Sequence, residues 1–501
     1  MLARVTTFAI DGLEPRAVTV EADIRSGLPA FTIVGLADRA VSEARERVRA
    51  ALLNSGFEFP LRRVTVNLAP ASLRKAGPGF DLAIACAVLA ASGQISPEPL
   101  AGHGVFGELS LGGEIRPCRG VLAAAEGARQ AGLTAVLVAR ERMGEAGLVP
   151  GIAVAGIDRL ARLPAVLAGE RLTPPSAPDV APDAPATAAD LLDLADVRGQ
   201  ALAIEALAVA AAGGHSLLLE GPPGTGKTML ARRLPSILPP LEPQEALEVT
   251  RIASIAGLHE GHGLATRRPF RAPHHTISAA GLIGGGPVPA PGEATLAHRG
   301  VLFLDELSEF DRRALESLRQ PLEDGHVTVV RANRSARFPA RFALIAATNP
   351  CPCGRAASSC RCGEAELARH RRRLSGPLMD RIDLHASVGR PLLDDLVGSA
   401  TTSSAEVRDR VVAARERQRA RGRQANAELR GAALERALQL TSAAERLFAR
   451  AYDADGLSAR GRDRALRVAR TVADLDGSDR VDREHVAAAL AHRRRDAEAL
   501  A

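Results

Sequence analysis

Residues 221–228 have the types and spacing that suit binding of a nucleoside triphosphate. They read Gly221, Pro222, Pro223, Gly224, Thr225, Gly226, Lys227 and Thr228, and they fit the pattern G-x-x-x-x-G-K-[ST]. Glycines let such a loop turn its amide groups toward phosphates, and the positive end of a following helix adds to the attraction. The pattern places Lys227 on the β- and γ-phosphates and Thr228 on Mg²⁺. A strand-like run at 216–220 and a helical run at 229–234 supply the context that this motif requires.

Two carboxylates follow an apolar run at 301–304, which predicts a buried strand that ends in Asp305 and Glu306. Open α/β sheets bind ligands at that end of their strands. Asp305 would complete the Mg²⁺ shell, and Glu306 would act as the base that polarises the attacking water. A second apolar run at 342–347 leads to Asn349, whose amide could orient that water. Many ordinary strands end in polar residues, so these assignments depend on the loop at 221–228.

Four of the six cysteines lie within twelve residues, in the pattern C-x-C-x₆-C-x-C. They are Cys351, Cys353, Cys360 and Cys362. In a reducing compartment this pattern indicates a tetrathiolate metal site rather than disulfides, and zinc suits four soft ligands. A redox-labile loop and a site without metal are the alternatives.

The elements that must position these residues form an α/β chain of 501 residues. Strand-like and helix-like segments alternate over 1–170, and a Pro/Ala-rich linker follows at 171–189. Strand, glycine loop and helix then repeat over 190–395, which predicts a mostly parallel sheet with helices on both faces. Residues 396–501 read as a helical, arginine-rich domain.

Composition excludes several classes of protein. The longest apolar stretch, near 82–91, is too short to span a bilayer, and the amino terminus lacks the apolar core of a signal peptide. We therefore expect a soluble, cytoplasmic protein without a membrane partner. The net charge of +6 permits a polyanionic partner. Lys75 and Lys227 are the two lysines among 64 basic residues, a skew that a high-GC codon bias largely explains.

These residues resemble the AAA+ ATPases, and more narrowly the magnesium-chelatase-like family of the ComM and YifB type. The resemblance covers almost the whole chain, and its most specific stretches are 270–286, 291–306, 348–354 and 376–385. It implies that Asn349 is sensor 1 and Arg381 the arginine finger, with Arg460 in the sensor 2 stretch 457–460 as a γ-phosphate contact. An arginine finger from a neighbouring subunit implies a homo-oligomeric ring, usually a hexamer, that uses ATP and Mg²⁺.

Two segments resemble the elements that face the channel of such rings. The first is a glycine-rich insertion at 259–286 with His274 and His275, which we expect to be structural because no third metal ligand is apparent. The second is a hairpin at 325–343 with a turn at 332–333. Its arginines are Arg331, Arg334, Arg337 and Arg341. They suit contact with the phosphates of single-stranded or branched DNA, and a solvated hairpin tip is the alternative.

The amino-terminal domain resembles the proteolytic domain of Lon proteases, a ribosomal S5 domain 2-like fold. The protease needs a serine activated by a lysine, and those positions fall at Gly79 and near Leu122 here. Neither residue can do that chemistry, so we expect a non-proteolytic scaffold. Lys75 is either a phosphate contact or a solvated loop lysine.

The resemblance implies a ring-forming, ATP-driven DNA motor, a helicase that promotes branch migration in homologous recombination or natural transformation. A magnesium chelatase ATPase subunit, a motor for metal insertion, is the alternative. A Lon-type protease is a third alternative, and the missing serine and lysine argue against it.

Overall fold

The structure is a computed structural model of the 501-residue chain. It describes residues 1–36, 39–171, 192–259, 263–286, 289–331, 334–355, 359–374, 378–391, 395, 402–422, 425–455 and 458–493. Most of the predicted linker 171–189, the predicted hairpin turn at 332–333 and Leu457 lie outside the described residues.

The first 171 residues build a mixed sheet with helices. The strands are β1 (Leu2–Asp11), β2 (Glu14–Arg25), β3 (Ala30–Val34), β4 (Arg63–Ala69), β5 (His103–Phe106), β6 (Glu108–Leu109), β7 (Ile115–Arg116), β8 (Ala135–Ala139) and β9 (Ala153–Ile157). Seven of these described strands pair in the order β3-β4-β2-β1-β5-β8-β9, and the pairs β1–β2 and β2–β4 are antiparallel. The helices are Arg39–Asn54, Asp81–Ala91, Glu98–Ala101, Val121–Gln130, Met143–Ala146 and Leu163–Leu167.

The apolar stretch near 82–91 forms a buried helix that packs against this first sheet. Every residue of Asp81–Ala91 is buried, because the helix is apolar on all sides and packs against β1 and β2. Asp81 is the charged member, and its carboxylate accepts hydrogen bonds from Nε and Nη2 of Arg47 at 2.7 and 3.0 Å. Burial of an unpaired carboxylate would cost free energy, and the ion pair with Arg47 offsets that cost.

The second sheet is parallel, as the strand–loop–helix pattern predicts. The strands in this region are β10 (Leu217–Glu220), β11 (Phe270–Arg271), β12 (Gly284–Gly285), β13 (Ala290–Pro291), β14 (Val301–Leu304), β15 (His326–Arg331), β16 (Arg334–Pro339), β17 (Ala343–Thr348) and β18 (Leu384–Ser387). The sheet has the order β11-β14-β17-β10-β18, while β12–β13 and β15–β16 are separate hairpins. The helices here are Ala201–Gly213, Lys227–Ile237, Pro243–Ala256, Ala279–Ile283, Glu293–Leu296, Arg312–Ser317, Arg319–Asp324 and Glu364–Leu374.

The carboxy-terminal part is helical and shares a core with the parallel sheet. Its α-helices are Ser404–Gly422, Gly431–Leu438, Ser442–Asp455, Ala459–Leu475 and Arg483–Ala491. Leu217 and Ile345 of the sheet lie in one buried cluster with Val411 and Leu466 of these helices. Burial of this apolar area stabilises the docking of the helices by roughly 25 cal/mol per Å².

The two sheets are joined by direct contact between helices. Helix Pro243–Ala256, the second helix after the loop 221–226, packs against Val121–Gln130 of the amino-terminal part. A guanidinium of that helix, Arg251, pairs with the largely buried Glu126 at 2.5 Å, and the hydroxyl of Ser254 donates to Glu145. The amino-terminal part is therefore anchored on the helix Pro243–Ala256.

Candidate active site

The loop 221–226 turns sharply between β10 and helix Lys227–Ile237. Gly224 and Gly226 have φ of 76° and 95°, in the left-handed region that favours glycine. Gly226 is also the N-cap of the helix, so the amides of the first helical turn open toward the loop. This is the geometry in which backbone donors and a helix dipole attract an anion.

Lys227 lies beneath this loop and is almost fully buried. Its Nζ donates to the carbonyl oxygens of Gly221 at 2.6 Å and Pro222 at 2.8 Å, and to Oδ1 of Asn349 at 3.1 Å. Burial lowers the pKa of the Lys227 amine from its usual value, and the charge of Asp305 opposes that shift. The structure therefore brings Lys227 and Asn349 together, from strands β10 and β17 that are neighbours in the sheet.

Thr228 and Asp305 meet at the same edge of the sheet. The Thr228 hydroxyl donates to Oδ2 of Asp305 at 2.7 Å, and Oδ1 of Asp305 accepts the backbone N–H of Glu306 at 2.9 Å. A hydroxyl and a carboxylate side by side are the oxygen ligands that Mg²⁺ takes in nucleotide sites. Thr228 and Asp305, the two side chains predicted to bind Mg²⁺, are thus in contact with each other.

Glu306 follows Asp305 with an unusual backbone. Its φ is 51°, in the left-handed region, and its side chain is 61% exposed. Oε2 of Glu306 lies 3.5 Å from Nδ1 of His275, a residue of the segment after β11. His274 instead places its Nδ1 2.9 Å from the hydroxyl of Thr276. The contact of His275 with Glu306 was not predicted, because the sequence indicates only a structural role for His274 and His275.

Arg381 and Arg460 lie together near the amino ends of the parallel strands, whereas the loop 221–226 follows the carboxyl end of β10. Both guanidinium groups pair with Glu323, and the Arg460 contact is 3.6 Å long. They line a cavity of about 870 Å³. Its wall includes the residues that immediately precede four parallel strands, namely Ser216, Gly300, Phe342 and Asp383. Within one chain, therefore, these two arginines do not meet Lys227, which follows the far end of β10.

The four cysteines converge as the spacing predicts. Their sulfur atoms all lie within 4.8 Å of one another. The separations are 3.3 Å for Cys351–Cys353, 3.6 Å for Cys351–Cys360 and 3.8 Å for Cys353–Cys360. Four sulfurs around one zinc ion at 2.3 Å would be about 3.8 Å apart, so the donor set fits that metal. The backbone N–H of Cys353 donates to Sγ of Cys362 at 3.3 Å.

The Cys353 thiol is already poised to ionise. Hydrogen bonds from the backbone of Arg361 and Arg355 lower the pKa of Cys353 to about 6. Burial raises the pKa of Cys351, and it raises that of Cys362 to about 12. A bound cation would favour the thiolate form of all four ligands.

The hairpin predicted at 325–343 is present as β15 and β16. Arg337 lies on its exposed side, with Nη2 3.0 Å from Nδ1 of His326, and the side chains of Arg331 and Arg334 are outside the described ones. The assignment of Arg341 to the hairpin is wrong. Arg341 follows the second strand, its N–H donates to Nδ1 of His298 at 3.0 Å, and it lines the cavity at the amino ends of the strands.

The amino-terminal domain has no room for a serine at position 79. A Cβ there would lie 2.6 Å from the Phe106 ring, and Leu122 is fully buried. Of the two alternatives for Lys75, a phosphate contact or a solvated loop lysine, the solvated lysine is wrong. Lys75 is completely buried, its Nζ donates to the carbonyl of Pro70, and burial lowers the pKa of its amine.

Comparison with known proteins matches three parts of the chain to magnesium chelatase. Residues 193–395 match the family described as "Magnesium chelatase, subunit ChlI", residues 20–142 match "Subunit ChlI of Mg-chelatase", and residues 401–493 match the C-terminal part of that subunit. The protein "YifB" of Salmonella typhimurium is 44% identical, over 98% of this chain and 97% of its own length. This chain belongs to the magnesium-chelatase-like family that includes YifB and ComM.

Other members of the magnesium-chelatase-like family align over the same length. "Competence protein ComM" of Haemophilus influenzae is 42% identical, over 98% of this chain and 97% of its own. An uncharacterized protein of Mycobacterium tuberculosis is 46% identical over 98% of both. The "Magnesium-chelatase 67 kDa subunit" of Heliobacterium mobile is more distant, at 28% identity over 40% of this chain. Within the described ranges, none of the helices combines the length and apolar character needed to cross a membrane.

Sequence reasoning missed Glu323 and the contact between His275 and Glu306. The stretch 270–286 carries His275 and is a recognisable signal of the family, but nothing in it names Glu306 as the partner. Glu323 is one acidic residue among 58 acidic ones, and only the fold singles it out.

Proposed function

We propose that this chain is a subunit of a ring-forming, ATP-driven motor that acts on DNA. The observation that carries the proposal is the meeting of Lys227, Thr228, Asp305 and Asn349 at the carboxyl edge of one parallel sheet. Asp305 and Asn349 follow β14 and β17, and Lys227 and Thr228 begin the helix after the neighbouring β10, in the arrangement that phosphoryl transfer to water requires.

Each residue then has a role in ATP hydrolysis. Lys227 contacts the β- and γ-phosphates, within the amides of the loop 221–226, and Thr228 and Asp305 are the side chains that would hold Mg²⁺. Glu306 accepts a proton from the attacking water, and Asn349 orients that water. A Mg²⁺ ion held by these two side chains would supply positive charge against the phosphates.

The positions of Arg381 and Arg460 favour action on a neighbouring subunit. β10 has four residues, so its two ends are about 13 Å apart. The nucleotide loop follows one end, while Arg381 and Arg460 lie at the edge that precedes the strand. In a closed homo-oligomer, most simply a hexameric ring, this edge of one subunit would face the γ-phosphate bound by the next. Arg460 would thus act in trans together with Arg381.

DNA is the proposed substrate of the motor. The exposed Arg337 on the β15–β16 hairpin, together with Arg331 and Arg334 in sequence, offers charge that suits phosphates without base readout. A relative of almost equal length carries the name competence protein. We propose a helicase that promotes branch migration in homologous recombination, including the uptake of transforming DNA.

The chelatase alternative is supported by a shorter match. The relative named as a chelatase subunit aligns with 40% of this chain, against 98% for the relative named ComM. Insertion of Mg²⁺ into a porphyrin, with purified chelatase partner subunits, is the assay in which that alternative would show itself.

We also propose that the cysteine cluster holds one structural zinc ion. The sulfurs of Cys351, Cys353, Cys360 and Cys362 lie within 4.8 Å of one another, so they could supply all four ligands of a tetrahedral zinc ion. Such a site would be closed to substrate and would supply stability rather than chemistry.

Strand displacement on labelled DNA tests the proposed function. The full chain, with ATP and Mg²⁺, is mixed with a forked duplex and with a four-way junction that carries one labelled strand. We expect wild-type protein to release labelled product and Glu306→Gln to release none. Absence of product with both substrates, from protein that hydrolyses ATP, would show that the motor does not act on DNA.

A further inference from the structure

The segment that carries the four cysteines lies directly against the nucleotide loop. Gly354 has φ of 69°, and a Cβ at this position would lie 2.7 Å from Cγ and 2.8 Å from Cδ of Pro223. The same position is 3.9 Å from Nδ2 of Asn349. Since Cβ atoms do not approach other carbons this closely, only glycine lets the two loops touch. Pro223 is part of the loop 221–226.

Asn349 is linked both to the start of the cysteine segment and to the helix that follows that segment. Cys351 follows Asn349 by two residues and is buried, and its carbonyl accepts the N–H of Gly354 at 3.0 Å. Beyond the last cysteine, helix Glu364–Leu374 carries His370, whose Nε2 lies 3.0 Å from the carbonyl oxygen of Asn349. Asn349, whose side-chain amide faces Lys227, is thus joined to the start of the cysteine segment and contacted at its backbone carbonyl by the helix that follows the segment.

The described part of this segment has little core of its own. Among its described residues from 351 to 363, Cys351 and Gly354 are buried, while the others are exposed or half-buried. A loop of this kind cannot gain much stability from apolar burial, so a metal crosslink is the interaction that can hold its shape.

We infer that a zinc ion bound by Cys351, Cys353, Cys360 and Cys362 braces the nucleotide site, and that nucleotide affinity depends on this metal. The ion holds Gly354 against Pro223 and keeps Asn349 facing Lys227. This inference rests on the proposed function only in that the loop 221–228 binds ATP. The cysteine cluster would thus help to set the shape of the nucleotide site, although none of its four ligands belongs to that site.

The metal itself is tested first, on the full chain purified under reducing conditions. Mass spectrometry of the metal content should find one zinc per chain, and Co²⁺ exchanged into the site should show the visible absorption of a tetrahedral thiolate complex. The double variant Cys353→Ser/Cys362→Ser should lose the metal, while Cys118→Ser, outside the cluster, should keep it. Wild-type protein with no metal and with four reactive thiols in this segment would overturn the inference.

The effect of the bound zinc on the nucleotide site is tested by nucleotide binding, measured with a fluorescent ATP analogue and Mg²⁺. The zinc-free double variant should bind the analogue roughly tenfold more weakly, since a site displaced by a fraction of an ångström loses much of its binding energy. Gly354→Ala should keep its zinc and still bind the analogue more weakly. Gly363→Ala is the matched control, because its Cβ meets no atom within 4 Å and it lies in the same segment.

The outcomes separate this inference from the proposed function. Unchanged nucleotide affinity in folded, zinc-free protein and in Gly354→Ala, together with loss of affinity in Lys227→Ala, overturns the brace and leaves the ATP site standing. Zinc-loaded wild-type protein that binds no nucleotide overturns the proposed function and with it the brace. Circular dichroism establishes that each variant is folded.

Discussion

The amine of Lys227 donates a hydrogen bond to Oδ1 of Asn349 across 3.1 Å, although the two residues are 122 positions apart in the chain. β10 and β17 run parallel and adjacent, so the polar residues that follow them reach the same edge of the sheet. The link joins the residue proposed to hold phosphate with the residue proposed to orient water. A change in either side chain should therefore alter the same step of ATP hydrolysis.

Lys227→Ala should weaken nucleotide binding and abolish turnover. The substitution removes the ammonium group that the loop carbonyls and Asn349 hold in place, and the other lysine of the chain, Lys75, is buried in the amino-terminal domain. Fluorescence titration with an ATP analogue and a phosphate-release assay measure the two effects. Arg232→Ala, on the exposed side of the same helix, is the control and should keep both activities. Normal turnover by Lys227→Ala would refute the assignment of the loop.

Glu306→Gln should bind ATP with near-normal affinity and hydrolyse it about 10² to 10⁴ times more slowly, the range for removal of a general base. The amide keeps the shape of the side chain but cannot accept the proton of the attacking water. Single-turnover hydrolysis, with ring assembly followed by light scattering, gives the comparison. Hydrolysis at the wild-type rate would mean that another group is the base.

Arg381→Ala should reduce turnover by about 10³-fold or more while sparing nucleotide binding, and Arg460→Ala should act in the same direction. Because both residues lie at the edge opposite to the nucleotide loop, a defective subunit should be complemented by its neighbour. Mixing Arg381→Ala with Lys227→Ala subunits should restore some turnover, since intact loops then face intact arginines. If the mixture stays inactive although mixed rings form, the two arginines do not act across a subunit interface.

Stability should fall as the pH is lowered below about 6.5, in part because of His215. This imidazole is fully buried between Asp383, 3.1 Å from Nδ1, and Thr471, 2.8 Å from Nε2. Burial lowers the pKa of His215. The unfolded chain takes up a proton near pH 6.5, and the folded chain does so only at lower pH, so acid favours unfolding between those two values. Thermal unfolding from pH 7.5 to 5 measures this, and His215→Gln should show a shallower dependence. If the unfolding temperature falls equally with pH in wild type and His215→Gln, His215 does not contribute to the pH dependence of stability.

Arg337→Ala should weaken DNA binding uniformly across sequences. Its guanidinium is exposed on the hairpin, where it can contact phosphate, and loss of one such contact should reduce the slope of log affinity against log salt by about one. Fluorescence anisotropy with single-stranded and forked DNA gives the slopes. Arg312→Ala removes an 86% exposed arginine outside the hairpin and should leave them unchanged. Identical slopes for Arg337→Ala and wild type would remove the hairpin from the DNA interface.

Local pattern was enough to predict most of the elements that hold the site. The apolar run before the loop became β10, the helix after it begins at Lys227, and the run at 301–304 became β14, because each depends on neighbouring residues. The convergence of the four cysteines also follows from their spacing alone.

Contacts between distant segments could not be predicted in the same way. The pairing of Arg381 and Arg460 with Glu323, and the contact of His275 with Glu306, join elements that meet only after the sheet has formed. The burial of Lys75 shows the same limit. The sequence places Lys75 among loop residues, which favours an exposed side chain. In the structure its amine is buried and donates to the carbonyl of Pro70.

The rate of ATP hydrolysis, measured with the full chain alone and with single-stranded, duplex, forked and four-way-junction DNA, tests the central claim most directly. We predict hydrolysis that is lost in Glu306→Gln, that rises with at least one of these DNAs, and whose stimulation weakens as salt increases. Hydrolysis that none of the four DNAs changes, with no salt-sensitive DNA binding, would contradict the account.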